Sequence, residues 1–185
     1  MPLDRRWVLI HPGASAPSRR YPGEHFALAA DELVEEHGFE VLFVCGAGEQ
    51  DLLDEIAAQM RQPCRIVKED LNFGQLAALI RRAPLLIANN SGPVHIAAAV
   101  GTPVVDLYAL TNPQHTPWLV PHRLLTHQTP CAYCYKSVCP ERHHECLRGI
   151  EPAQVVRAAV SLCAETNGHR STVEWKCESH FAGVT

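Results

Sequence analysis

Residues 85–103, LLIANNSGPVHIAAAVGTP, constrain this chain more than any other stretch. The run opens on Leu85-Leu86-Ile87-Ala88, too short for a helix and apolar enough for a strand buried on both faces. It breaks at Asn89-Asn90-Ser91-Gly92 and resumes as a helix of small residues, Val94 to Val100. Pro93 suits the first helical position, because it has no N–H to leave unpaired and its φ is already helical. Ser91 or Gly92 serves as the N-cap. Gly101 supplies a left-handed residue at the helix end and Pro103 stops any continuation. Strand, tight turn and helix in that order aim the unpaired amides of the helix start, and the positive end of its dipole, beyond the carboxyl end of the strand. That is the geometry of an anion site. Ala97, Ala98 and Ala99 let the helix lie close against the sheet and hold the turn rigid.

The rest of the chain repeats this alternation. Trp7-Val8-Leu9-Ile10 reads as a first strand, followed by the turn His11-Pro12-Gly13-Ala14-Ser15 and a polar loop carrying Arg19 and Arg20. A helix is expected from about Pro22 to His37, with Phe26, Ala29, Ala30, Leu33 and Val34 facing the core and Gly38 as its stop. Phe39 to Cys45 is a second buried strand, Gln50 to Arg61 a helix, and Arg65 to Val67 a short third strand. Asn72 and Gln75 form a capping box for a helix ending near Arg82. After the pivotal unit come a strand Val104–Leu107, a loop from Tyr108 to Pro121, a strand Leu124–Thr126, a cysteine-rich loop and a last helix from Pro152 to about Glu165. Residues 1–166 are thus expected to form one domain and 167–185 a frayed tail without periodicity.

Strands that are apolar throughout, alternating with helices, imply an α/β fold: a Rossmann-like, doubly wound parallel sheet covered on both faces. Ligands of such sheets bind beyond the carboxyl ends of the strands, where every loop singled out here falls. The net charge of −4 and the lack of a basic stretch interleaved with aromatics exclude a general nucleic-acid binder. With no apolar run of spanning length and no leader pattern, the expectation is a soluble, cytoplasmic protein with at most peripheral membrane association.

Four motifs carry chemistry. Asn90-Ser91-Gly92-Pro93-x-His95 offers amides, a hydroxyl and an imidazole to a phosphate; a merely well-capped helix would look similar. Ser15 and Arg19 add a hydroxyl and a guanidinium suited to diphosphate oxygens, although an Arg-Arg pair is also common in solvated loops. Gly46-x-Gly48-Glu49, between a strand and a helix, lets a base or ribose approach the backbone and places a carboxylate for ribose hydroxyls. Glu49 equally suits a first-turn acid interacting with the helix dipole. Cys131, Cys134, Cys139 and Cys146, with His143 and His144 among them, have the ligand types of a structural zinc, but their spacing is not the paired-knuckle pattern and reduced thiols are the alternative. No Ser/His/Asp triad, H-E-x-x-H helix or carboxylate dyad stands out.

Taken together, these residues resemble the carboxyl half of the ADP-heptose–lipopolysaccharide heptosyltransferases, glycosyltransferase family nine, and most of all the heptosyltransferase-II-like members. The matching segments are His11 to Ser15, Arg19-Arg20-Tyr21-Pro22, Gly46-x-Gly48-Glu49, Leu76 to Ile80, Asn90-Ser91-Gly92-Pro93-x-His95, Gly101-Thr102-Pro103, Thr111-Asn112-Pro113 and Cys139-Pro140-x3-His144-x-Cys146. The resemblance implies the donor-binding domain of a GT-B glycosyltransferase, holding an ADP-sugar for inverting transfer of heptose to the lipopolysaccharide inner core. Arg19 falls where the family usually has a lysine on the diphosphate, and Asn89-Asn90 replaces the commoner Asn-Asp. The resemblance also implies that the general base belongs to an amino-terminal acceptor domain outside this sequence, so that no catalytic residue is expected here. It further implies that no cofactor is needed for the chemistry. A non-catalytic nucleotide-sugar-binding or regulatory protein derived from such an enzyme is the alternative.

Overall fold

A computed structural model of the chain describes residues 6–109 and 112–170. Six strands form a single sheet: β1 (Trp7–His11), β2 (Glu40–Phe43), β3 (Arg65–Ile66), β4 (Leu86–Asn89), β5 (Val104–Leu107) and β6 (His122–Leu125). Every neighbouring pair is parallel, in the order β3-β2-β1-β4-β5-β6. The chain winds outward from β1 to β3, crosses back, and winds outward again from β4 to β6. The reversal between β1 and β4 opens a crevice at their carboxyl ends.

Alternate strand residues feed two cores. Val8, Ile10, Val41, Phe43, Leu85, Ile87, Val105 and Leu107 face α1 (Gly23–Glu35), α2 (Gln50–Gln59) and α6 (Pro152–Arg170). Trp7, Leu9, Leu86, Ala88 and Val104 face α3 (Phe73–Arg82) and α4 (Gly92–Val100). Burial on both faces is why these strands carry continuous apolar runs instead of alternation.

The local signals hold with small shifts. Asn72 and Gln75 make the capping box in both directions. Gly101 closes α4 at φ 77°, a left-handed conformation that costs a side-chain-bearing residue about 1 kcal/mol or more. Gly92, not Pro93, is the first residue of α4, and Ser91 is its N-cap without a side-chain capping bond. The last helix continues to Arg170, past the expected stop near Glu165 and into the segment expected to fray. The remainder of that tail, 171–185, lies outside the described residues. A one-turn helix α5 (Glu145–Arg148), too short to show periodicity, follows the cysteine loop.

Candidate functional site

The loops leaving β1 and β4 meet over the crevice. Asn89, fully buried, ties them together: its amide donates to the Pro12 carbonyl at 2.6 Å and its Oδ1 accepts from the Tyr21 amide at 2.9 Å. The Ser91 hydroxyl reaches back toward the Gly13 carbonyl at 3.5 Å instead of capping its own helix. His11, beneath this junction, is buried, and burial holds its imidazole pKa below the ordinary value, so it sits there neutral.

Between the loops lies a cavity of about 250 Å³ lined by Ala14, Ser15, Arg19, Asn90, Ser91, Gly92, His95 and His115. Six residues singled out from the sequence for anion contact therefore share one wall. Pro93, the seventh, is buried in α4 and does not line the cavity. The Nε of Arg19 is buried and has no hydrogen-bond partner within the protein. Of the first residues of α4, Pro93 has no amide hydrogen and Val94 donates to the Ser91 carbonyl at 3.1 Å, which leaves the Gly92 amide at the helix start with no intrahelical acceptor. Donors outnumber acceptors at this spot, and the helix dipole adds to the positive potential; the chemistry matches a phosphate or diphosphate.

Arg20, the neighbour of Arg19, does different work. It donates to the Ala14 carbonyl at 2.7 Å and approaches the Glu49 carboxylate at 3.5 Å. Glu49 also accepts the Gly46 amide at 3.2 Å, and a Cβ on Gly13 would fall 2.1 Å from its Oε2. Gly13 is thus glycine because the Glu49 carboxylate occupies the space of a side chain. Gly46, Gly48 and Glu49 do not line the anion cavity; they form the adjoining loop, joined to it through Arg20. The Glu49 carboxylate retains lone pairs beyond these two contacts, so a ribose hydroxyl remains within its chemistry.

His115 went unnoticed in the sequence because the loop holding it has no periodicity. A short 3-10 turn, Pro113–His115, brings it to the cavity, with the Asn112 side chain accepting the Gln114 amide at 3.0 Å. Behind the cavity, Asn90 donates through Nδ2 to Asp106 Oδ2 at 2.8 Å and to the His115 carbonyl at 2.6 Å. Asp106 is fully buried in β5, and burial pushes its carboxyl pKa up to about 7, against the opposing pull of the Asn90 hydrogen bond.

The four clustered cysteines also converge. Cys131, Cys134, Cys139 and Cys146 line one small pocket with His143, and Cys131 Sγ lies 3.5 Å from His143 Nε2. Burial first, then the proximity of the other three sulfurs, pushes the Cys146 thiol up to about 11. Thiols and an imidazole are the ligand types of a soft or borderline dication, but among the described residues the one group of three or more such ligand atoms within 4.8 Å of one another is Glu32, Glu36 and His37, so these sulfurs would have to draw together to hold a metal. The loop is docked on the anion site: the Ser18 hydroxyl and amide, next to Arg19, donate to the carbonyls of Lys136 (2.6 Å) and Ser137 (3.1 Å). Among the described residues no helix is long and apolar enough to cross a membrane.

A six-stranded parallel sheet wound both ways, with a polar cavity at its switch point, defines a Rossmann-like domain of the GT-B glycosyltransferase type. Residues 1–145 match the family model for glycosyltransferase family 9 (heptosyltransferase), and the chain belongs to that family. It is 30% identical over 166 residues to lipopolysaccharide heptosyltransferase 2 of Escherichia coli K12, covering 86% of this chain and 47% of that protein. It is 30% identical over 159 residues to lipooligosaccharide heptosyltransferase 2 of a Campylobacter jejuni strain, covering 83% of this chain and 50% of that protein. The solved family 9 glycosyltransferase from Veillonella parvula superposes with a TM-score of 0.76 at 27% identity, over 89% of this chain and 48% of that one. The chain therefore spans about half the length of the relatives it matches.

Proposed function

We propose that this chain is the donor-binding domain of a heptosyltransferase, holding an ADP-sugar such as ADP-heptose for inverting transfer to the lipopolysaccharide inner core. The observation that carries this reading is the single cavity into which Arg19, the start of α4 at Gly92 and His95 all face. In the proposed reaction an acceptor hydroxyl attacks the anomeric carbon while the bond from that carbon to the diphosphate oxygen breaks. Negative charge builds on the departing ADP, where the Arg19 guanidinium, the Gly92 amide, the Ser15 and Ser91 hydroxyls and the His95 imidazole are placed to stabilise it. Gly46, Gly48 and Glu49 take the nucleoside. The base that removes the hydroxyl proton, and the surface that orients the acceptor, come from an acceptor domain in a further segment or a partner chain. The proposed place of work is the cytoplasm, at the inner face of the membrane where such an acceptor is presented.

No cofactor enters this chemistry. The cysteine loop is proposed to hold a structural zinc through Cys131, Cys134, Cys139 and Cys146, with His143 beside them; its charge would stabilise the thiolates that otherwise repel one another. Elemental analysis of the purified protein checks this directly.

The test of the donor reading is base-selective binding. ADP and ADP-heptose should raise the melting temperature and UDP should not, with about 2.7 kcal/mol of added stability at a hundred times the Kd. A larger shift with UDP would overturn it. A non-catalytic nucleotide-sugar-binding role predicts the same binding but no transfer when an acceptor domain is supplied.

A further inference from the structure

A hydrogen-bonded run from Asp106 through Asn90 to His115 stands behind the wall of the cavity. Asn90 Nδ2 has two hydrogens, and both are committed: one to Asp106 Oδ2 at 2.8 Å, the other to the His115 carbonyl at 2.6 Å. The second acceptor fixes the orientation of the amide, because a carbonyl can only accept. Asn90 thereby joins the turn after β4 to the loop after β5. The anchor is costly: Asp106 is fully buried and its Oδ1 has no hydrogen-bond partner. An apolar residue would suit that sheet position better by packing alone. What the carboxyl achieves is orientation, and its effect ends at His115.

His115 itself is exposed and lines the same cavity as Arg19, Gly92 and His95. Asn112 Oδ1 accepts the Gln114 amide at 3.0 Å, which turns Asn112 Nδ2 toward His115 Nε2, 3.5 Å away. A donor on that side makes Nε2 the acceptor, and the neutral ring then carries its proton on Nδ1. His115 is held at two points, its backbone carbonyl by Asn90 and its imidazole by Asn112, at the edge of the cavity.

We propose that His115 is a further diphosphate-binding residue of this site, donating to a phosphate oxygen opposite His95, and that Asp106 is the positioning residue that holds it there through Asn90. This rests on the donor reading above and adds to it a contact from the far side of the cleft. The diphosphate would be enclosed by β1-loop, β4-turn and β5-loop groups together, so the 112–116 loop contributes to discrimination between diphosphate and monophosphate ligands.

The experiment uses the full chain and reads ADP and AMP affinities by calorimetry, with the imidazole ¹⁵N resonances followed on addition of inorganic pyrophosphate. His115→Ala should weaken ADP by about tenfold, the loss of one charge-assisted hydrogen bond, and AMP by less. Asp106→Leu should weaken ADP similarly while His115 remains present, and its His115 resonances should no longer move with pyrophosphate. Asp106→Asn, which keeps an acceptor for the Asn90 amide, should bind as the unsubstituted chain does. The proposal is overturned if His115→Ala binds ADP unchanged, or if the His115 resonances of the unsubstituted chain ignore pyrophosphate while ADP binds. His115→Ala carries the test should Asp106→Leu not fold. A folded, unsubstituted chain that binds no ADP would instead overturn the donor reading itself, and this inference with it.

Discussion

The anion cavity and the cysteine pocket lie a few residues apart, at Ser18 and Arg19, yet they are built in opposite ways. The cavity sits on the ends of regular elements. Its turns leave β1 and β4, two strands buried on both faces, and are cross-tied by the fully buried Asn89. The turn backbone is tied down there before any ligand arrives, with the Gly92 amide left over at the start of α4. The cysteine loop has no strand beneath it. Tyr133, Tyr135, Arg142 and His144, none of them glycine, adopt left-handed backbone conformations within it. Each costs on the order of 1 kcal/mol or more and persists only where the surroundings impose it. One site is preorganised by the sheet; the other, in the reading proposed above, would be organised by a metal held between its sulfurs. The contact of Ser18 with the carbonyls of Lys136 and Ser137 makes the second a brace for the first.

The largest expected effect probes the rigidity of the sheet side. Asp106 has a folded-state pKa near 7, above its ordinary carboxylate value, so the folded chain takes up this proton before the unfolded chain does. Its contribution to stability is present at low pH and is lost as pH rises from about 4 to 7, by on the order of 4 kcal/mol. Asp106→Asn should abolish that dependence and be the more stable protein at pH 8, while matching the unsubstituted chain near pH 4; urea melts at the two pH values check this. An identical pH dependence in both proteins would mean that Asp106 is ionised throughout.

Next comes Asn89→Ala, which strands the Pro12 carbonyl and the Tyr21 amide in a dry interior. A loss of about 3 kcal/mol is expected in the same melts. A loss below about 1 kcal/mol would show that the β1 and β4 turns stand independently, and the contrast with the cysteine loop would fail.

The smallest effect belongs to the brace. In chelator-treated protein, Cys131→Ser should change stability by less than about 1 kcal/mol, because reduced thiols there make only weak polar contacts. With zinc restored, the unsubstituted chain should gain melting temperature and Cys131→Ser should gain less. ADP affinity should follow in the same direction by less than about fivefold, the equivalent of roughly 1 kcal/mol transmitted through Ser18. Equal melting temperatures with and without zinc would leave the loop organised by packed thiols.

The same contrast decides how much could be read in advance. The order of elements and six of the eight cavity residues follow from strong local physics: apolar runs, a proline and a glycine bracketing α4, and polar residues placed just past strand ends; the reversal between β1 and β4 shows only in the folded sheet. His115 and Asp106 escaped because their importance is relational. An aspartate in an otherwise apolar strand is uninformative until its partner Asn90 is known, and a histidine in an aperiodic loop looks solvated. The role of Arg20 was similarly hidden: beside Arg19 in sequence, it turns away to brace Ala14 and Glu49. The left-handed residues of the cysteine loop carry no local signature, since none is a glycine or asparagine.

Calorimetric titration of ADP and AMP into the unsubstituted chain and into Arg19→Ala tests the central claim most directly. If the cavity at the β1–β4 crevice grips a diphosphate, ADP should bind at least about tenfold more tightly than AMP, and Arg19→Ala should erase most of that difference while leaving AMP nearly unchanged. Equal affinities for ADP and AMP in the unsubstituted chain, or a preference for ADP that survives Arg19→Ala intact, would contradict it.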